Sequence, residues 1–241
     1  MARVIIPLPD RDFDVTEVAV PWRVLSAAGH EVCFATERGD VTPEADPLLL
    51  TGVIFGQLGA EPEPKRLYAE MIQTPAFVRP LAWTSADFGG FDALVLPGGH
   101  AAGMRQYLGS EALHAQVRDF FALGRPVGAI CHGVLVAARS GALRGRRTTC
   151  LPKYMELSAW AVTAWKHGRY YRTYDQTVED EVKASLARPE DFVLGPVSLF
   201  TRDTEADDSA GFVVEDGAYV SARWPGDAWR FARALASRLG S

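Results

Sequence analysis

Short apolar runs separated by amphipathic segments make up the pattern of this chain. The runs are RVIIPL (3–8), HEVCFAT (30–36), ALVL (93–96) and PVGAI (126–130). Continuous apolar runs of this length are typical of parallel strands that are covered on both faces. The opening strand–helix–strand order favours right-handed crossovers within one sheet. The pattern therefore predicts an α/β fold with three layers, in which helices cover both faces of an open, mostly parallel sheet.

Three segments between and after these runs have the spacing of amphipathic helices. Residues 18–29 predict a helix with Pro21 in its first turn, where a proline removes no helical hydrogen bond. Residues 110–124 predict a second helix, with a serine cap at its start and a glycine after its end. Residues 133–141 predict a third helix, directly after the last apolar run.

The C-terminal third of the chain differs in character. Aromatic residues cluster between 151 and 210 with little strand periodicity, and residues 178–187 predict a helix. Two strands around a turn at Asp216 follow, and then a closing amphipathic helix at 226–240. We expect a single α/β domain over residues 1–241, with 151–210 as a cap-like excursion within it.

The composition is that of a globular protein and narrows the classes of partner. The 241 residues are 48% hydrophobic and 23% charged, with a net charge of −5. No long basic block is present, so nucleic acid and anionic membranes are unsuitable partners and a small molecule is the expected one. The N-terminal apolar stretch is too short for a signal peptide, and no apolar run reaches about 18 residues. The three cysteines form no C-x-x-C pair, which argues against disulfides and a zinc site and favours a cytoplasmic location.

The clearest candidate for chemistry follows the run at 126–130. In open α/β sheets, functional sites form beyond the carboxyl ends of the strands. Cys131 lies at such an end, directly before a predicted helix whose unpaired N–H groups would stabilise a thiolate and lower its pKa. Gly133 allows the tight turn, and His132 is the adjacent candidate base. The alternatives are that Cys131 is a small buried hydrophobic residue and His132 a surface histidine.

Two further strand ends bring groups to the same edge of the sheet. The backbone N–H groups of Gly98 and Gly99, together with that of His132, suit a developing oxyanion, although a simple glycine turn is the alternative. Gly98 and His100 are possible substrate contacts, and for His100 a role in the loop is equally consistent. Glu17 either adds a negative charge to a helix N-terminus or approaches the thiol, in which case the two groups share a proton and the carboxyl pKa rises.

A resemblance to a known superfamily rests on four segments, in this order: TEVAVPWRVL, FDALVLPGGH, GRPVGAICHG and YVSARWPGDAWRFA. These segments resemble the ThiJ/PfpI superfamily, whose fold is shared with class I glutamine amidotransferases, and they are most similar to its chaperone/glyoxalase III and intracellular-protease branches. The resemblance implies a flavodoxin-like sheet with a nucleophilic Cys131 at an elbow. It implies Glu17 as the acid close to the sulfur, and Gly99 and His132 as the oxyanion-hole amides. It also implies a homodimer.

The sequence departs from this pattern at two points. A catalytic triad needs an acid that orients His132, and Glu156, Asp203 and Asp208 are equal candidates. The region 151–210 matches no segment of the chaperone branch, and no pair of histidines with a carboxylate is recognisable as a metal site. We therefore predict no metal.

The resemblance implies a cofactor-independent cysteine enzyme that acts on small reactive carbonyl compounds, as glyoxalase III does when it converts α-oxoaldehydes into hydroxy acids. The Cys131 thiolate would add to the aldehyde, backbone amides would hold the alkoxide, and Glu17 or His132 would move a proton between the two carbons. Two alternatives stay open: a cysteine hydrolase for an amide, peptide or isonitrile, and a stress-response holdase chaperone or redox sensor. Glutamine amidotransfer is disfavoured because it needs a His-x-Glu pair after the cysteine, and no glutamate lies two residues after His167.

Overall fold

The computed structural model describes residues 1–198 and 200–240. Its strands are β1 (Arg3–Pro7), β2 (Arg11–Phe13), β3 (Glu31–Thr36), β4 (Glu44–Ala45), β5 (Leu81–Ala82), β6 (Ala93–Leu96), β7 (Val127–Ile130), β8 (Val213–Asp216) and β9 (Tyr219–Ala222). Its helices are α1 (Val15–Ala27), α2 (Pro47–Thr51), α3 (Pro62–Met71), α4 (Pro75–Val78), α5 (Met104–Leu108), α6 (Glu111–Ala122), α7 (Gly133–Arg139), α8 (Lys153–His167), α9 (Val178–Ser185) and α10 (Ala228–Ala236). Short 3₁₀ helices are formed by Phe88–Gly90, Pro189–Asp191 and Pro225–Asp227. Over the described ranges, no helix is both long enough and apolar enough to span a membrane.

The central sheet has the strand order β5-β3-β1-β6-β7-β9-β8. Its neighbouring strands are parallel except for β8 and β9, which form the hairpin predicted around Asp216. The connection from β1 to β3 runs across the sheet toward the β5 edge, whereas the connection from β6 to β7 runs toward the β8 edge. Right-handed crossovers therefore place α1 and α6 on opposite faces of the sheet. The predicted three-layer α/β fold is confirmed.

Helix α1 begins earlier than the hydrophobic pattern predicted. Asp14 caps it by accepting hydrogen bonds from the backbone N–H groups of Thr16 and Glu17, at 2.8 and 3.1 Å. Pro21 consequently lies inside the helix, and its predicted place in the first turn was wrong. Because proline has no N–H, Pro21 leaves the backbone carbonyl of Glu17 without its usual helical donor. The early cap places Glu17 in the first turn of α1, next to the edge of the sheet where the site forms.

The segment 151–210, of which Leu199 lies outside the described residues, contributes α8 and α9. Helix α8 escaped prediction because it has no continuous buried stripe. Its buried residues are Met155, Glu156 and Thr163, whereas Trp165 on the same helix is 66% exposed. Apolar side chains on several sides of a helix blur the helical period from which such elements are predicted.

Candidate active site

Three neighbouring strands end at one edge of the sheet, and each is followed by a segment that the sequence singled out. Strand β6 lies between β1 and β7, and adjacent strands are about 4.8 Å apart. The loop after β6 therefore lies between α1 and the turn after β7. A Cβ added at Gly98 would lie 2.8 Å from Glu17 Oε2 and 3.0 Å from Cys131 Cβ. The structure thus brings together residues that are far apart in the sequence.

Cys131 occupies a strained turn between β7 and α7. Its φ of +57° lies in the left-handed region, which costs a non-glycine residue roughly 1–3 kcal/mol. Gly133 meets a different need, because a Cβ there would lie 2.1 Å from the carbonyl oxygen of Leu96 and 2.6 Å from that of Pro97. The glycine lets α7 start against the end of β6, and the strain falls on the cysteine itself. This backbone geometry is that of a nucleophile elbow.

The carboxyl group of Glu17 is buried beside this turn. Its Oε2 accepts a hydrogen bond from the N–H of Gly98 at 2.8 Å, whereas Oε1 has no nitrogen or oxygen partner among the residues described. The N–H of Gly98 therefore positions Glu17, which differs from the substrate contact expected of it. Burial, and then the negative charge of Asp14, raise the pKa of Glu17 well above its usual value. The buried carboxyl group therefore holds its proton more tightly than an exposed glutamate does.

The thiol of Cys131 has no exposed surface, and its pKa moves in the direction opposite to the prediction. Burial raises the pKa of Cys131 well above its usual value, and the charges of Glu17 and Asp14 raise it further. A hydrogen bond from the backbone N–H of His132 lowers this pKa but is a smaller effect. The helix N-terminus therefore does not ionise the cysteine in the resting protein. The thiol needs a base that accepts its proton.

His132 has the geometry of that base. Its Nδ1 lies 3.6 Å from the Cys131 sulfur, and its Nε2 lies 3.3 Å from Thr173 Oγ1. The Thr173 hydroxyl donates its single proton to the carbonyl oxygen of His100, at 2.5 Å, so it must accept from Nε2–H of His132. Burial, followed by the nearby His100, lowers the pKa of His132 well below its usual value. The imidazole is thus neutral, with Nδ1 unprotonated beside the thiol.

No carboxylate orients this imidazole in the described part of the chain. The three candidate acids are engaged elsewhere: Glu156 with Arg172 and the N–H of Val178, Asp203 with the N–H of Arg230, and Asp208 with Arg233. None of the three therefore contacts His132, and the side-chain partner of its Nε2 is the hydroxyl of Thr173. Thr173 lies 41 residues after His132 in an irregular stretch, where no sequence pattern indicated it.

His100 lies against both Cys131 and His132. Its Nε2 is 3.9 Å from the Cys131 sulfur, and its ring meets that of His132 edge to face, with centroids 4.6 Å apart. Burial lowers the pKa of His100 to about 4, so the ring is uncharged at neutral pH. His100 therefore packs beside the thiol as a neutral imidazole.

The same site contains three side chains of the types that bind metal ions. The side-chain nitrogens of His100 and His132 and the sulfur of Cys131 lie within 4.8 Å of one another, and no other such group occurs within 1–198 and 200–240. Cysteine and histidine together suit zinc or copper. The sequence predicted no metal, and that statement stays a prediction.

The two predicted oxyanion-hole amides belong to Gly99 and His132. Gly99 has no room for a side chain, because a Cβ would lie 2.8 Å from the carbonyl oxygen of Asp12 and 2.9 Å from the sulfur of Met104. Among the described residues its N–H meets no acceptor. The N–H of His132 contacts the Cys131 sulfur. The amide of His132 is thus near the reacting thiol, and the role of both amides as an oxyanion hole stays a prediction.

A cavity of about 390 Å³ opens beside His100. Helix α8 forms one part of its wall with Met155, Ala159 and Val162, and the remaining lining is also mainly apolar. Its polar lining includes Asp14, His100 and Arg202. The sequence did not indicate this cavity, because its wall comes from several segments that only the folded chain brings together.

Comparisons with known proteins identify the family of this chain. Residues 8–196 match the family described as ThiJ/PfpI family-like. A deglycase from Thermococcus kodakarensis is 29% identical over 228 residues, which cover 94% of this chain and 93% of that protein. A deglycase from Pyrococcus horikoshii is 31% identical over 146 residues, which cover 60% of this chain and 70% of that protein.

Solved structures share the fold at lower identity. Glyoxalase III from Candida albicans matches with a TM-score of 0.70 and 18% identity, and the match covers 98% of this chain and 97% of that one. The rapid encystment protein of Francisella tularensis matches with a TM-score of 0.70 and 16% identity over 100% of both chains. These likenesses concern the fold, whereas the family match covers most of the sequence. The chain belongs to the ThiJ/PfpI superfamily.

Proposed function

We propose that this protein is a cysteine enzyme of the glyoxalase III type, which converts an α-oxoaldehyde and water into a 2-hydroxy acid without a cofactor. One observation carries the proposal: the strained, buried Cys131 lies 3.6 Å from an unprotonated nitrogen of His132. Covalent catalysis requires a nucleophile and a base within hydrogen-bonding reach of each other, and a third group that orients the base. Related sequences named as deglycases support enzymatic activity in this superfamily.

The first step joins the thiol to the aldehyde. As the sulfur of Cys131 bonds to the aldehyde carbon, the thiol proton moves to Nδ1 of His132 and the carbonyl electron pair moves onto oxygen. The N–H groups of Gly99 and His132 stabilise the oxyanion, which then takes a proton to give a hemithioacetal. Thr173 holds the imidazole in the required tautomer throughout. The raised thiol pKa is thereby overcome only when a substrate is present.

The second step moves hydrogen from the former aldehyde carbon to the neighbouring carbon. A base removes the proton from the first carbon while the ketone oxygen takes up a proton, which gives an enediol. An acid then returns a proton to the second carbon while the hydroxyl of the first carbon loses its proton, which gives a thioester. Glu17, with its unpaired Oε1, and His132 are the groups beside the sulfur that can carry these protons. Water then cleaves the thioester, which releases the hydroxy acid and restores the thiol. The sum of the steps is the addition of one water molecule to the α-oxoaldehyde.

Hydrolysis of a carbonyl–amine adduct is the second candidate, because the deglycase relatives carry that name. It would begin with the same attack by Cys131, and it differs in its substrate. A redox sensor is disfavoured, because oxidation of a cysteine depends on its accessibility and this sulfur is buried. The holdase chaperone, the homodimer and the cytoplasmic location stay predictions.

Formation of lactate from methylglyoxal tests the proposal. We expect Cys131→Ala to lower kcat by about a thousandfold or more, because the covalent step is lost. Cys33→Ala is the matched control, since Cys33 is half-buried on β3 outside the site. Lactate formation by Cys131→Ala at the wild-type rate would refute the proposal. If the protein hydrolyses a methylglyoxal–arginine adduct but does not convert free methylglyoxal, the deglycase activity replaces the proposed one. If it has neither activity but suppresses the aggregation of a client protein, the chaperone function is favoured.

A further inference from the structure

The cavity beside His100 is larger than the smallest α-oxoaldehydes need. Its volume is about 390 Å³, whereas an apolar cavity of roughly 150 Å³ is enough to hold a benzene ring. Methylglyoxal carries only a methyl group next to its reacting carbons and would leave most of this space unfilled. Pockets that bind larger organic ligands measure about 300–1,000 Å³. The volume therefore points to a substrate with a larger substituent.

The lining of the cavity favours an apolar substituent. One part of the cavity wall comes from α8 and another from an earlier part of the chain, through Met155, Ala159 and Val162 and through Leu49 and Val53. Transfer of apolar surface from water to such a wall is favourable, by roughly three- to fourfold in affinity for each buried CH₂ group. An anionic substituent would lose hydration there and would meet the carboxyl group of Asp14 in the same wall.

The basic residue of the wall is already engaged. The guanidinium of Arg202 lies over the ring of Trp224, 4.6 Å from its centroid, and 3.6 Å from the carboxylate of Glu61. Its positive charge is thus shared with a carboxylate and an aromatic face, which reduces its pull on an anionic substrate. The wall distinguishes substrates mainly by the size of their apolar part.

His100 connects this cavity with the reacting atom. It lines the cavity, and its Nε2 lies 3.9 Å from the Cys131 sulfur. On the side of the loop after β6, Glu17 and the backbone at Gly98 fill the space beside the cysteine. The side of the cysteine toward His100 is thus the side that leads to the cavity, and the substituent of a carbonyl compound bound to the sulfur would extend that way.

We propose that the substrates of this site are α-oxoaldehydes with a large apolar substituent, of aryl or branched-alkyl size, and that α8 selects them. This inference rests on the proposed function and narrows its substrate class. Helix α8 belongs to the segment 151–210, so the proposal also gives that segment a role in specificity.

Initial rates with methylglyoxal, isobutylglyoxal and phenylglyoxal test the inference on the wild-type protein. We expect kcat/KM to rise by roughly tenfold or more from methylglyoxal to phenylglyoxal, because the larger group buries more apolar surface. Ala159→Phe fills the cavity from α8, and it should remove the gain from methylglyoxal to phenylglyoxal. Ala161→Phe is the matched control, because it adds the same ring to an exposed position of the same helix that does not line the cavity.

The outcomes separate the inference from the function on which it rests. Equal kcat/KM values for the three aldehydes, or a preference for methylglyoxal, would overturn the inference and leave the proposed function in place. Failure of the wild type to convert any of the three in a Cys131-dependent manner would overturn both. The wild-type series decides the matter even if circular dichroism shows that Ala159→Phe does not fold.

Discussion

The hydroxyl of Thr173 holds the imidazole of His132 in a single tautomer. Its Oγ1 lies 3.3 Å from Nε2 of His132, and its proton is donated to the carbonyl oxygen of His100. A hydroxyl in this position does the orienting work that a carboxylate does in a Ser-His-Asp triad, without adding a negative charge. The absence of that charge agrees with the lowered pKa of His132, whose first cause is burial.

Replacement of Thr173 tests this positioning role. We expect Thr173→Val to lower kcat by about ten- to a hundredfold with little change in KM, because the imidazole loses the acceptor that fixes its tautomer. Thr173→Ser keeps the hydroxyl and should restore most of the activity. Steady-state kinetics with methylglyoxal, together with thermal melting of both variants, provide the measurement. Wild-type activity in Thr173→Val together with a loss in Thr173→Ser would mean that the methyl group and its packing matter, and that the hydrogen bond does not.

Glu17→Gln tests the carboxyl group as a carrier of protons. An amide keeps the size of the side chain and can accept from the N–H of Gly98, but it cannot exchange a proton with the substrate. We expect kcat to fall by about a hundredfold or more, with the melting temperature nearly unchanged or raised. Glu111→Gln, in the first turn of α6 and exposed, is the control. Full activity of Glu17→Gln would leave His132 as the carrier of the proton between the two carbons.

Gly133→Ala tests the close approach of α7 to β6. The added Cβ would meet the carbonyl oxygen of Leu96 at 2.1 Å, so backbone must shift and we expect a loss of about 1–3 kcal/mol or more in the free energy of unfolding. Gly90→Ala is the control, because a Cβ there meets nothing within 4 Å. Chemical denaturation of both variants gives the comparison, and similar midpoints would show that the elbow tolerates a side chain.

Asp203→Asn tests a pH dependence of stability. Burial raises the pKa of Asp203 to about 7, above its value in the unfolded chain, so the folded protein binds this proton more tightly. The protonated carboxyl group of Asp203 therefore contributes to the free energy of unfolding at low pH, and this contribution is lost as the pH rises from about 4 through about 7. We expect the wild type to lose about 1 kcal/mol or more of stability from pH 5 to pH 8, or roughly 2–4 °C in Tm, relative to Asp203→Asn. Parallel Tm–pH curves for the two proteins would contradict this account.

Two ion pairs of different burial predict different costs of removal. Arg223 and Asp227 are each 1% exposed and are joined by two contacts of 2.9 Å, so Asp227→Ala leaves a buried charge unpaired and should cost about 3–5 kcal/mol. Lys153 and Asp180 lie 2.7 Å apart but are 48% and 43% exposed. Asp180→Ala should therefore cost at most about 1 kcal/mol. Equal losses of stability in urea would show that burial does not set the difference.

The sequence was most informative where the physics is local or periodic. Continuous apolar runs predicted β1, β3, β6 and β7, because a strand buried on both faces must be apolar at every position. The alternation of these runs with helices predicted a parallel sheet, and the strand ends then had to meet at one edge. Cys131, Glu17 and the glycines after β6 could be placed together from that topology alone. The superfamily was likewise evident from short motifs at those ends.

The features that the sequence did not show depend on contacts between distant segments. Thr173 reaches His132 from an irregular stretch, and the wall of the cavity combines α8 with several other parts of the chain. The pKa of Cys131 is raised because burial and the charges of Glu17 and Asp14 outweigh the local hydrogen bond from His132. Hydrophobic periodicity determined where the strands and most helices lie and which residues reach the edge of the sheet. Only tertiary packing decided how those residues are hydrogen-bonded, how strongly they are desolvated and what space remains beside them, because these properties belong to the assembled interior.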